Sequence, residues 1–281
     1  MSGDESKAKN AQDTAIWDHN RGVIRSSIGG WVIGRGVMNR GYDMMDDFVG
    51  KLSYMQVVMF NVTGRIPERA LADWFETVQI CISWPDPRIW CNHIGALGGS
   101  VRASALASTV AGILATDARS YGIKPIIEGM EFIQRAKLDC DKGMTVEGIV
   151  KQEAARHGGK PLMMGYARPI AKGDERVPAL ERFREALGFP IGEHLALAFA
   201  INDYLDRTYS ETININGYVA AFWSDHGFTP EEIYRIYPVA VASGVAACFV
   251  DTRDKPAETF LPLQCEDIDY QGVAERSVPD R

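Results

Sequence analysis

Cys91 and His93 stand two residues apart, a spacing that can begin a metal site. No second Cys/His pair at ligand spacing accompanies them, so the sequence predicts no metal centre, and Cys91 reads as a small buried apolar residue. The stretch from His157 to Asp174 is more suggestive. It is rich in glycine, carries Pro161 and Pro169, lacks a helical period, and holds the cations Lys160, Arg168 and Lys172, with Arg176 just beyond. Loops of this kind between helices often carry sites. Arginine is the side chain whose planar donors match a carboxylate or phosphate two by two. The same cations could instead form a solvated face paired with Asp174 and Glu175, and the residues alone leave both readings open. Gly29, Gly30, Gly34, Gly36 and Gly41 invite a phosphate-loop reading. No helix-opening G-x-G-x-x-G follows a long strand there and no Lys-Ser/Thr closes the run, so a nucleotide loop is not expected.

The elements that must position these groups are helical. At 281 residues the chain can hold two domains and a substantial core. Its net charge of -7 and pI near 5.3 offer no general attraction for nucleic acid or an anionic membrane, so neither is expected as a partner. The longest apolar run, residues 238–250, is too short to span a bilayer and contains Ser243 and Gly244. Residues 1–20 are polar, lack the apolar segment of a secretory signal, and read as a flexible arm. The five cysteines (Cys81, Cys91, Cys140, Cys248, Cys265) are scattered and odd in number, which fits reduced thiols in the cytoplasm.

Residues 23–43 read as short strands broken by glycine turns, a small hairpin. Helical periodicity dominates from about Met44 onward. It predicts helices over 54–62, 67–83, 100–120, 124–138, 146–156, 175–187 and 193–209. Thr229-Pro230-Glu231-Glu232 is a capping box opening a further helix, which Pro238 should kink. The segment 100–120 is rich in Ala, Ser, Gly and Val. Such a helix permits close backbone approach, and we expect a homodimer that packs it against its symmetry mate, with Ala111 and Gly112 in the contact.

Several stretches, in order, resemble the citrate synthase superfamily, most closely its small citryl-CoA-lyase-like members. They are Arg40-Gly41-Tyr42-Asp43, Gly50 to Tyr54, Gly64-Arg65-Ile66-Pro67, Asn92-His93, Ser100 to Ser104 and Val110 to Ala115. Gly165-Tyr166-Ala167-Arg168 with Asp174-Glu175-Arg176, Asn214-Ile215-Asn216-Gly217 and Asp267-Ile268-Asp269-Tyr270 complete the series. The resemblance implies an all-α citrate synthase-like bundle with a short N-terminal β-hairpin. It also implies a large helical domain (21–150 and 212–281), a small one (151–211) and a homodimer. The implied chemistry makes or breaks a carbon–carbon bond beside a CoA thioester carbonyl. That requires a base for the α-proton, a donor for the enolate oxygen, an acid on the partner carbonyl, and cations for its carboxylates.

The pattern departs from the family where the chemistry lies. The enolate-stabilising histidine falls on Tyr121, a second histidine on Ala167, the base aspartate on Asn216, and a late arginine on Val241. His93, Arg168 and Arg176 are retained. The implied site therefore places Tyr121, His93 and Asn216 at the reacting centre. Arg168, Arg176, Lys160, Lys172 and Gly165 then hold a carboxylate or an acyl-CoA. No resident cofactor is expected, CoA thioester entering only as a possible substrate. A phenol can donate to an enolate, but an amide cannot take up a proton usefully and Ala167 does no acid–base work. Three functions stay open: a divergent acyl-CoA lyase or synthase, an enzyme of the same fold on a non-CoA substrate, and a non-catalytic binding or partner protein.

Overall fold

The computed structural model describes residues 14–168, 172–238 and 240–279. The described chain is mostly helical and divides into two compact units, one up to Asp73 and one from Trp74 onward. Most of the expected flexible arm, residues 1–13, lies outside the described residues. Residues 14–20, its remainder, are helical, which corrects that part of the reading.

In the first unit three short strands, β1 (Gly29–Val32), β2 (Gly36–Asn39) and β3 (Tyr42–Asp43), form an antiparallel meander in the order β1-β2-β3. Gly29 faces Asn39, Val32 faces Gly36, and Asn39 faces Tyr42. Gly36 adopts a φ of +122° and the Asp43 carboxylate occupies the space a Cβ would need. That carboxylate accepts from the Met45 and Asp46 backbone and so starts the following turn. Tyr42, Phe48 and Phe60 cluster with ring centroids 5.5–5.7 Å apart. Helix α1 (Tyr54–Thr63) opens on a Ser53/Gln56 capping box and closes on Gly64 at φ +75°.

Helix α2 (Arg69–Ile82) carries the chain across the division between the units. The second unit then contains α3 (Trp90–Ser100), α4 (Ala105–Leu114), a tiny hairpin of β4 (Asp117–Ala118) and β5 (Tyr121–Gly122), α5 (Lys124–Asp141) and α6 (Val146–Arg156). After the 157–168 loop follow α7 (Arg176–Ala186), α8 (Glu193–Tyr209), α9 (Ile215–Asp225), α10 (Pro230–Ile236) and α11 (Ala242–Arg253). Helix α9 is central: from Gly217 to Ser224 every residue is buried. Trp74 stacks on Phe222 at 3.5 Å, and the Trp223 indole donates to the Tyr237 hydroxyl at 2.9 Å. Among the described residues no helix is long and apolar enough to cross a membrane.

Two expectations need correction. Residues 100–120 are not one helix: Ser100 ends α3, Arg102 turns the chain at φ +63°, and Ser104 caps α4 by accepting from Ala107. Ser104 offers the backbone a capping partner, which competes with helix continuation. Pro238 stops a helix rather than kinking one. The Tyr237 N–H closes the last turn of α10 on Ile233, and a proline directly after it cannot supply the next backbone donor.

The small residues of this region work within one chain. A Cβ at Gly112 would meet Val245 at 2.5 Å and the Cys91 carbonyl at 2.8 Å, and one at Gly95 would meet the Val245 carbonyl at 2.5 Å. Helices α3, α4 and α11 thus approach backbone to backbone, and Gly112 faces this internal contact rather than a symmetry mate. Ala111 is exposed, on the side of α4 that also presents Leu106, Val110 and Leu114. Gly112→Leu should overpack the α3/α4/α11 contact and cost about 1–3 kcal/mol or more, read as a lower midpoint in urea unfolding. Unchanged stability would show that this contact is slack.

Candidate functional site

The glycine-rich loop is fixed to the start of α9 by backbone pairing. Tyr166 bridges Ile213, Ala167 N–H donates to the Thr212 carbonyl at 2.8 Å, and Asn214 N–H donates to the Gly165 carbonyl at 3.0 Å. The Asn214 side chain caps α9, accepting from the Asn216 and Gly217 backbone, while its amide donates to the Ala167 carbonyl at 2.7 Å. Gly165 and Gly217 meet face to face: a Cβ on Gly165 would lie 2.5 Å from the Gly217 Cα. Gly165 therefore serves backbone approach. Ala167 sits in the left-handed region at φ +68°, which strains an alanine and which histidine tolerates better than most residues.

Asp174 is the polar centre of this region. Its fully buried carboxylate accepts from Arg176 Nε and Nη2, both at 2.7 Å, from the Arg176 N–H at 3.1 Å, and from the Ile215 N–H at 2.9 Å. Burial pushes the carboxyl upward, but Arg176 and the Ile215 N–H outweigh it and hold the group below the usual aspartate range. Arg168 pairs with the exposed Glu175 at 2.5 Å and lies 4.0 Å from Asp174. The pairing with Asp174 and Glu175 is thus what both guanidiniums display here. Lys172 reaches Asp206 at 2.6 Å, and Lys160 is exposed.

Tyr121, on β5, is half-buried. Its hydroxyl lies 3.3 Å from Cys91 Sγ, its ring tilts against Trp90, and it packs against an apolar cluster of Cys91, Val241 and Val245. Val241, standing where the resemblance expects an arginine, is part of that apolar wall. Burial, then the contact with Cys91, push the phenol above its ordinary range, while the nearby Arg176 charge pulls it partly back. Tyr121 is therefore a neutral donor at physiological pH. Burial likewise raises the Cys91 thiol, and raises Cys81, which feels both Arg176 and Asp174. Arg176 thus links Tyr121 electrostatically to the α9 N-terminus, where Asn216 sits half-buried.

His93 is placed differently. Its Nδ1 lies 3.0 Å from the Pro87 carbonyl and its ring packs edge-on against Phe260. With Pro87, Arg88, Trp90, Ile94 and Leu261 it lines an open groove of about 610 Å³. Two residues on a helix turn the side chain by about 200°, so His93 leaves α3 on the side opposite Cys91. Trp90 touches both the groove and Tyr121. Among the described residues no cluster of His, Cys, Asp or Glu could hold a metal ion.

Two participants escaped the sequence reading. Asn214 had a legible signal, an Asn directly before an apolar helix. Trp90 had none, because Tyr121 lies 31 residues away. The sequence offered Asp174 as a partner for the cations, but its contact with the Ile215 N–H, 41 residues on, had no local signal.

No known family model matches the sequence, and no curated protein matches it. Solved structures do. Citryl-CoA lyase from Hydrogenobacter thermophilus superposes with a TM-score of 0.75 at 22% identity, over 92% of this chain and 98% of that one. ATP citrate lyase from Methanothrix soehngenii, in complex with citrate and coenzyme A, gives 0.74 at 18% identity, over 94% of this chain and 44% of that one. Citrate synthase from Thermotoga maritima gives 0.59 at 16%, over 81% of this chain and 60% of that one. The class is thereby defined: this chain has the helical fold of the citrate synthase superfamily. It matches nearly the whole length of the citryl-CoA lyase chain and only part of the other two.

Removing Arg176 would leave a buried carboxylate unpaired, so Arg176→Ala should cost about 3–5 kcal/mol, more than Arg168→Ala, whose partner is exposed. The depressed Asp174 pKa adds stability above about pH 3.8, the ordinary aspartate value, and that contribution fades as pH falls through the folded value. Unfolding of Asp174→Asn in denaturant should accordingly lose less stability than wild type between pH 5 and the acid limb. Parallel acid limbs in the two proteins would contradict this.

Proposed function

We propose that the chain is a divergent enzyme that makes or breaks a carbon–carbon bond beside a thioester carbonyl of a carboxylate-bearing substrate, with CoA the first thioester to test. The observation that carries this reading is Tyr121: a neutral, partly buried phenol against an apolar cluster, within reach of the Arg176 charge. In this reading Tyr121 donates to the carbonyl oxygen as negative charge develops on it. A donor in apolar surroundings is worth more for this than one in water, because charge is screened less there.

The cations divide by partner. Arg176 is committed to a buried carboxylate and sets the local field. Arg168 is held only by an exposed one and can exchange Glu175 for a substrate carboxylate. Lys160 and Lys172 lie on the same loop system as supplementary cations. Asn216 then orients substrate without taking the proton, and His93 serves from the neighbouring groove. The base is unassigned. The proposal keeps the division into a large domain (21–150 and 212–281) and a small one (151–211). It adds a homodimer through the outward face of α4, where Leu106, Val110 and Leu114 are exposed at four-residue spacing. Free cysteines suit a reducing compartment such as the cytoplasm.

A second reading is favoured by Asn216 and Ala167, which remove two proton-transfer groups of the resembling family: a binding protein on the same fold, or an enzyme with a non-CoA substrate.

Loss of those two groups predicts that citrate formation from oxaloacetate and acetyl-CoA, and cleavage of citryl-CoA, run at least about 10⁴-fold below ordinary enzymes of that kind. Exchange of the acetyl-CoA methyl protons with D2O, followed by NMR, should nevertheless be detectable and fall by about 10²–10³ in Tyr121→Phe. Absence of both exchange and CoA binding would favour the second reading. Robust citrate synthesis by wild type would mean that the reacting positions are misassigned. The dimer has its own check: Leu106→Arg with Leu114→Arg should lower the mass measured by light scattering, and an unchanged mass would remove that face from consideration.

A further inference from the structure

Asn92, beside Cys91 on α3, is buried, and its side-chain amide is held by two backbone acceptors. Its Nδ2 donates to the Trp84 carbonyl at 2.8 Å and to the Asp86 carbonyl at 3.0 Å. A carbonyl only accepts, so turning the amide end for end would set oxygen against oxygen. Its Oδ1 is therefore fixed on the other side, where Cys91 Sγ lies 3.5 Å away. Burial keeps the Cys91 thiol protonated. An amide oxygen also only accepts, so the single thiol hydrogen is drawn to Asn92.

The direction of the next bond follows. The Tyr121 hydroxyl and Cys91 Sγ lie 3.3 Å apart, and by distance alone either could donate. With the S–H turned to Asn92, the sulfur meets Tyr121 with its lone pairs, and the phenol donates. Among the described residues this sulfur is the hydroxyl's only hydrogen-bond partner. Sulfur is a weak acceptor. It satisfies a half-buried hydroxyl, yet a carbonyl or enolate oxygen brought within reach takes the bond from it. A carboxylate or backbone carbonyl in the same place would compete with substrate for that hydrogen. We infer that Cys91 is a positioning residue for Tyr121: oriented by Asn92, its thiol presents the phenol as a donor and holds it weakly enough for a substrate oxygen to displace. This role rests on the reading of Tyr121 as the carbonyl donor proposed above.

Infrared spectroscopy of the S–H stretch tests the direction without any substrate. Subtracting the Cys91→Ala spectrum from wild type isolates the Cys91 band from those of the other free cysteines, Cys81, Cys140, Cys248 and Cys265. The same subtraction is made in a Tyr121→Phe background, and Cys91→Ser serves for both if the alanine variant does not fold. The Cys91 band should lie at the lowered frequency of a bonded thiol and stay there when the phenol hydroxyl is removed. A rise in frequency in Tyr121→Phe would mean that Cys91 donates to Tyr121, and would overturn the inference. Exchange of the acetyl-CoA methyl protons with D2O gives the second readout. Cys91→Ala should lower kcat about fivefold with KM unchanged, and Cys91→Ser, able to make both bonds, should recover most of it. An unchanged kcat in Cys91→Ala would equally overturn the positioning role. If wild type itself shows no exchange, the proposed reaction fails, and the thiol band alone decides whether Asn92 and Cys91 present the phenol as a donor.

Discussion

The Asp174 carboxylate is the constraint on which the candidate site depends. A bare carboxylate in a protein interior is severely destabilising, and it persists here because two guanidinium donors and two backbone N–H groups converge on it. One of those N–H groups belongs to Ile215 in the first turn of α9, where the helix dipole also favours negative charge. A single buried anion therefore orients Arg176 and anchors the most buried helix of the second unit.

From that anchor the rest of the site follows by contact. Asn214 caps α9 and grips the Ala167 carbonyl, drawing the glycine-rich loop against the helix start, and the Gly165/Gly217 pair permits the approach. Arg176 projects its charge toward Tyr121, whose other neighbours, Cys91, Val241 and Val245, are apolar. Burial keeps the phenol protonated against the opposing pull of the Arg176 charge. The same arrangement explains why Arg176 and Arg168 differ in kind despite similar sequence contexts. One is bound to a group that cannot leave for solvent, the other to one that can.

Glycine plays a second structural part away from the loop. Gly95, Gly99 and Gly112 bring α3, α4 and α11 so close that backbone carbonyls of one helix occupy the space of missing side chains on another. Contacts of this type hold Cys91 and Val245 rigidly, and those two residues form the wall behind Tyr121. The surroundings of Tyr121 are thus inherited from helix packing.

The sequence by itself determined that the chain is helical, because apolar residues recur with the helical period and a signal such as Thr229/Glu232 is local. It also carried enough ordered motifs to indicate the superfamily fold, and it marked Tyr121, Arg168, Arg176 and Asn216 for attention. It could not decide that Gly112 turns inward, because a small-residue stripe suits an internal and an external neighbour equally. Nor could it assign Arg176 to Asp174 rather than to a ligand, since an arginine two residues from an aspartate is as often solvated as buried. Burial decides that question. The convergence of Asp174 with the α9 N-terminus and of Cys91 with Tyr121 joins residues 41 and 30 positions apart. Contacts over such separations leave no periodic trace in the chain, and only the tertiary structure brings them together.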